Sequence, residues 1–236
     1  MALPNKITPC PIEEAIIEIR FTPKMPHDAI FGVVYQSFKD RFTKVQNLPI
    51  LQIPEPIRMQ DPLLLYKAYY QLSNDNFALN IGPKVLSLSN AKEYIGWAAF
   101  SEEIKRCIKE ISKLEVIEKV SRSGIRYINF FEGDVFKKIN LEIKLGQEQL
   151  KSDSVLVRST LKAGKFINNF RISNNVKLAQ KGIPKEGSVI DIDTFLEGQI
   201  DIQGFDALIE EAHTEEKKLF FSLLREDFLK QLNPQY

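Results

Sequence analysis

From Ile12 to Phe21 apolar side chains recur at every second position. Ala15, Ile17, Ile19 and Phe21 share one face and Glu14, Glu18 and Arg20 the other, with Ile16 the interruption. Successive side chains of extended chain point to opposite faces, so this predicts a half-buried strand. After Pro23 and Pro26 the spacing becomes helical: Phe31, Val34, Phe38 and Phe42 make one stripe over Asp28–Phe42. Asp28 stands near the helix start, where a carboxylate suits the exposed amides. Pro49, Pro54, Pro56 and Pro62 predict an extended connection over residues 47–62, because proline blocks ladder and helix hydrogen bonds. Leu64–Leu72 alternates again. Asn74-Asp75-Asn76 reads as a turn, Phe77–Ile81 as the return strand and Val85–Leu88 as a third strand, together an antiparallel meander.

Residues 101–114 predict a helix. Phe100, Ile104, Cys107, Ile108, Ile111 and Leu114 form its apolar stripe, and Ser101 is the expected cap. A long strand follows over Val116–Phe131. Beyond Gly133, Ile139, Leu141, Ile143 and Leu145 alternate, and Val155–Leu161 reads as a strand turning at Ala163-Gly164-Lys165. Phe166, Phe170 and Ile172 continue in strand period, Asn174-Asn175 reads as a turn with Val176–Ala179 pairing back, and Val189–Phe195 is a further strand. Phe205–Leu232 predicts one long helix stopped by Asn233-Pro234. Segregated strands and helices predict an α+β fold: mainly antiparallel sheets with helices packed on one face. Two closely packed subdomains are expected, residues 1–133 (strand, helix, meander, helix, strand) and 134–236 (antiparallel meander and long terminal helix). No repeat of solenoid period stands out.

Composition narrows the chemistry. With 236 residues, 44% of them hydrophobic, the chain can bury a sizeable core. The net charge of +1 supplies no overall field for nucleic acid or acidic membrane. The two cysteines, Cys10 and Cys107, fall in no C-x-x-C pair, so neither a zinc ribbon nor a disulfide framework is expected. The opening MALPNKITPCPIEE lacks the apolar core of a signal peptide, and no run reaches the roughly 20 apolar residues that span a bilayer. A cytoplasmic location is therefore expected.

The most unusual stretch is SRSGIRYINFF, residues 121–131. On a strand, Ile125, Tyr127, Asn129 and Phe131 face one way and Arg122, Arg126, Ile128 and Phe130 the other. One reading has Arg126, with Arg122, gripping a phosphate or carboxylate bidentately while Tyr127 and Asn129 line the opposite face. The plainer reading is a central strand whose arginine pairs with a structural acid. Arg158, Lys162, Lys165 and Arg171 form a basic hairpin that meets a phosphate backbone or is a solvated face. Asp191 and Asp193 share a strand face, which suits a hard cation, but Ile190 and Ile192 explain the alternation without one. No metal site is favoured, and no cofactor is expected. Glu210 and His213 occur as Glu-x-x-His, yet with only two histidines a di-iron bundle is ruled out. His213 stays a candidate general base. P-loop, G-x-G-x-x-G and G-x-S-x-G motifs are absent, and no catalytic residue can be assigned.

Several pieces together resemble a sporadically distributed family of bacterial proteins of about this length, with no assigned activity. They are Pro11-Ile12-Glu13-Glu14-Ala15, Tyr94 with Gly96-Trp97, Gly124-Ile125-Arg126-Tyr127-Ile128-Asn129, Asp191-Ile192-Asp193, and Ala212-His213 with Phe220 or Phe221. The resemblance implies mobile genes of the accessory, defence or toxin–antitoxin kind. The expected function is accordingly a non-enzymatic interaction protein that binds a protein partner, such as the product of a neighbouring gene. The alternatives are a small-ligand or nucleic-acid binder anchored by Arg126, and a metal-assisted hydrolase using Asp191, Asp193 and His213.

Overall fold

The computed structural model describes residues 3–149, 154–180 and 183–236. Met1 and Ala2, part of the N-terminal stretch read above, lie outside them. The fold is α+β, with a nine-stranded antiparallel sheet and five helices among the described residues. The strands are β1 (Ile12–Pro23), β2 (Lys44–Asn47), β3 (Tyr70–Ser73), β4 (Phe77–Ile81), β5 (Val85–Asn90), β6 (Ile117–Glu132), β7 (Lys144–Leu145), β8 (Glu148–Gln149), β9 (Leu156–Ala163), β10 (Phe166–Gln180) and β11 (Ile183–Ile200). The helices are α1 (His27–Phe38), α2 (Glu55–Gln60), α3 (Trp97–Lys113), α4 (Phe205–Leu223) and α5 (Glu226–Gln231). The sheet order is β2-β3-β4-β5-β1-β6-β11-β10-β9, and β7 and β8 pair separately.

The chain forms two compact units. A central unit holds Ala15–Ile125 and Phe195–Glu210. A terminal unit holds the described residues up to Glu14, Arg126–Thr194 and Glu211–Tyr236, and Gly133 lies within it.

In the central unit, register places apolar residues in rows across the sheet. Leu72 pairs with Leu79, Leu79 with Leu88, and Leu88 with Ile17. The apolar stripe of α3 (Ile104, Cys107, Ile108, Ile111) closes over Ile17, Ile19, Leu79 and Leu86. Burial among these side chains drives the Cys107 thiol pKa far up, so it is inert packing. The opposite face carries a polar row. Gln71 donates to Asn80 (2.9 Å), and Asn80 donates to Ser87 (3.3 Å), which pairs with Glu18. Alternation along β1, β3, β4 and β5 thus sorts apolar from polar by face.

Three local expectations are corrected in this unit. Helix α3 starts four residues before Ser101, at Trp97 after Gly96 (φ +98°), and the Ser101 hydroxyl donates inside the helix to the Ala98 carbonyl. Leu64–Leu72 is not one strand. Asp61 accepts from the amides of Leu63, Leu64 and Leu65, coiling the segment before β3 begins at Tyr70. Nor is 47–62 wholly extended, since Pro49 opens a 3-10 turn and Pro54-Glu55-Pro56 opens α2. Proline at the first turn of a helix sacrifices only an amide that has no intrahelical partner.

Helix α2 sets Arg58 in an unfavourable place. The side chain is 9% exposed and stacks on the Tyr69 ring at 4.2 Å, and its Nε and Nη1 have no hydrogen-bond partner among the described residues. Orphaned buried donors cost more than the stacking returns. Arg58→Met keeps the stem and the contact with the ring. It is expected to raise the unfolding free energy by about 1 kcal/mol in urea titrations; a fall of that size would show that the guanidinium is satisfied in solution.

In the terminal unit, Phe131, Phe170, Ile172, Ile190 and Ile192 of the sheet pack with Phe220, Leu223 and Leu224, and with Phe228 of α5. The long terminal helix is a correction. It breaks after Leu223, because Leu224 bridges to Ile139 and Arg225 is held by the Lys138 and Ile139 carbonyls (both 3.0 Å). Ile139 serves that bridge rather than an extended strand to Leu145. The Asn174-Asn175 turn is also corrected. Strand β10 runs straight through, with Asn175 absorbing φ +55° and Asn174 accepting from the Val155 amide (2.7 Å).

Candidate functional site

The SRSGIRYINFF stretch is the middle of β6, flanked in the sheet by β1 and β11. Its alternation is unbroken, so neighbouring residues meet different surroundings. Arg126 points to the open face. Its Nε and Nη2 donate to Oδ1 and Oδ2 of Asp191 on β11, both at 2.7 Å, a bidentate fork. Glu14 and Asp193 add negative charge around it, and this environment raises the Arg126 pKa further, chiefly through the Asp191 bond. Burial raises the Glu14 carboxyl pKa, with Arg126 pulling the other way. The fork that could grip an external anion is engaged internally, and Asp191 has both oxygens committed to it.

Tyr127, on the other face, is buried with its hydroxyl 3.1 Å from Nδ1 of His213 on α4. Asn129 is buried and donates to the Ile190 carbonyl (3.3 Å). Arg126 and Tyr127 project to opposite sides of β6, so the sheet separates Asp191 from His213. The three residues proposed for metal-assisted hydrolysis are not gathered at one point. Asp193 stays beside Arg126 on the open face.

Arg122 belongs to the central unit. It is buried, donates to Glu18 Oε1 (2.9 Å) and lies 4.2 Å over the Phe195 ring. Glu18 Oε1 also accepts from Arg20 (2.8 Å). Arg122 thus makes a desolvated ion pair with an aromatic lid, and removing either partner would strand a buried charge.

The basic hairpin is arranged differently. Strand β9 is the sheet edge, and Gly164 (φ +59°) makes the tight turn into β10. Register places Arg158 directly opposite Arg171, Thr160 opposite Asn169 and Lys162 opposite Ile167. Opposed residues of an antiparallel pair share a face, with Cβ atoms about 5 Å apart. Two exposed guanidinium side chains therefore stand side by side. Among the described residues no carboxylate comes within ion-pair distance of Arg158, Lys162 or Arg171, whereas Lys165 in the turn pairs with Glu211 (2.6 Å). Leu156 and Leu161 on the same edge strand are 56% and 43% exposed.

Sequence reasoning did not foresee the Asp191 partner of Arg126 or the His213 partner of Tyr127, which lie 65 and 86 residues away. The quoted motifs contained both members of each pair without indicating that they meet. It read Asp28 only as a helix-start carboxylate and did not bring it together with His27 and Glu55, which lie close to it in space. What the geometry defines is an α+β sheet protein with an internally paired central strand and a basic edge whose Arg158, Lys162 and Arg171 meet no carboxylate among the described residues. No protein-family model matches the chain, and no curated protein matches it. Among the described residues no helix is long and apolar enough to cross a membrane.

Proposed function

We propose that the chain is a non-enzymatic interaction protein that takes up a protein partner along the β9 edge, the partner supplying an extended acidic segment. The observation that carries this reading is the cross-strand pair Arg158–Arg171. Like charges directly opposite each other on a sheet are destabilising, and nothing among the described residues neutralises them. An edge strand offers unpaired backbone groups, to which an added strand contributes main-chain hydrogen bonds. Exposed Leu156 and Leu161 supply apolar contact, while the arginines and Lys162 select carboxylates. The family resemblance makes products of adjacent genes the first partners to try.

Co-expression with neighbouring gene products followed by size-exclusion chromatography tests this. A stable complex is expected with the native chain and none with Arg158→Glu/Arg171→Glu, whose melting temperature should stay close to that of the native chain because one like-charge pair replaces another. A complex that survives the double reversal, or double-stranded DNA bound tightly by the native chain while every neighbour fails, overturns the reading.

A further inference from the structure

At the start of α1, His27 Nε2 lies 2.9 Å from Glu55 Oε1 and 3.1 Å from Asp28 Oδ1, and the three ligand atoms fall within 4.8 Å of one another. One imidazole nitrogen carries at most one hydrogen, so it cannot fully satisfy two carboxylates. The nearest cation on α2 does not help. Arg58, one turn beyond Glu55, stacks on Tyr69 and makes no ion pair with either acid among the described residues. The point where α1 meets α2 therefore carries two carboxylates against one histidine. The helix starts at His27 and Glu55, each preceded by a proline, fix the backbone positions from which these side chains converge.

We infer that His27, Asp28 and Glu55 form a binding site for a divalent transition ion of the zinc class. Zinc bonds of about 2.1 Å to imidazole nitrogen and carboxylate oxygen place neighbouring donors about 3.0–3.4 Å apart. The two histidine–carboxylate distances fall in or next to that range. The Asp28 and Glu55 side chains are 84% and 51% exposed, so they are free to rotate the remaining distance, and water completes the shell. Imidazole with carboxylates favours zinc over magnesium, which holds oxygen ligands and keeps its waters. The ion joins α1 to α2 and so clamps the proline-rich segment 47–62 to the body of the central unit.

Zinc chloride titrated calorimetrically into the Cys10→Ser protein tests this, the substitution removing an exposed thiol that would bind zinc on its own. One saturable site is expected. His27→Ala in the same background should abolish it, and Glu55→Gln should weaken it more than about tenfold. Zinc should also slow proteolytic cleavage within residues 47–67 in the parent and not in His27→Ala, whereas magnesium should do neither. The absence of a saturable site, or equal zinc affinity in the parent and His27→Ala, overturns the inference.

Discussion

Glu216→Gln is expected to stabilise the protein at neutral pH and to remove the fall in stability that this carboxyl should impose on the native chain between mild acid and neutrality. Glu216 sits on the apolar stripe of α4, four residues after buried Ala212 and four before buried Phe220, and is itself only 4% exposed. Burial raises its carboxyl pKa to about 8, against 4.5 for an exposed glutamate. Lys217 opposes the shift, but burial also drives that lysine pKa down, so the offset is partial. The folded state thus holds this proton more tightly than the unfolded state. Below about pH 4.5 both states are protonated, and the group takes nothing from stability. As pH rises towards 8 the unfolded chain ionises first, and stability falls by up to 1.36 kcal/mol per pH unit; above 8 the loss levels off. The advantage of Glu216→Gln should grow by roughly 2–3 kcal/mol between about pH 5 and about pH 7. Urea titrations of both proteins at those two pH values measure it. Parallel stability profiles would mean that Glu216 reaches water or a partner in solution.

Glu216 also shows what a sequence leaves unread. In the sequence Phe205, Leu208, Ile209 and Ala212 mark the apolar stripe of α4, while the charged run HTEEKK that follows suggests a solvated face. Helical period assigns a residue to a face but does not say how far the sheet beneath extends, and the covered face continues through Glu216 to Phe220 and Leu223. Strand β1, helix α3 and the β9–β10 hairpin were legible because each carries its own period and its own turn residues. Segments whose shape is set from a distance were not. Nothing in Leu224-Arg225 marks a helix break, which comes from Ile139 and Lys138. Asn174 resembles a turn residue until the Val155 amide and Asp134 claim its side chain. The candidate site follows the same rule. Alternation placed Arg126 and Tyr127 on opposite faces, but their partners are fixed by which strand lies beside β6 and which helix lies over it.

Gly187→Ala is expected to cost about 3 kcal/mol, a large loss for one methyl group. Gly187 lies on β11 beside the end of β6, and a Cβ there would fall 2.2 Å from the Phe131 carbonyl oxygen and 2.6 Å from Cζ of Phe130. The first contact is with backbone, so relief requires the two strands to part. Parting them is costly here because the same corner is fastened by Ser188, which donates to the Gly133 carbonyl (2.6 Å) and accepts from the Val135 amide (2.9 Å). Phe131 also belongs to the core of the terminal unit, so a displaced β6 loosens packing against Phe220 and Phe228. Gly32→Ala is the matched control. It lies within α1 with no atom within 4 Å of its added Cβ, and alanine should stabilise the helix by up to about 1 kcal/mol. Denaturant titrations should therefore move in opposite directions for the same chemical change. A Gly187→Ala protein as stable as the native chain would show that the backbone at Gly187 does not approach Phe131 this closely.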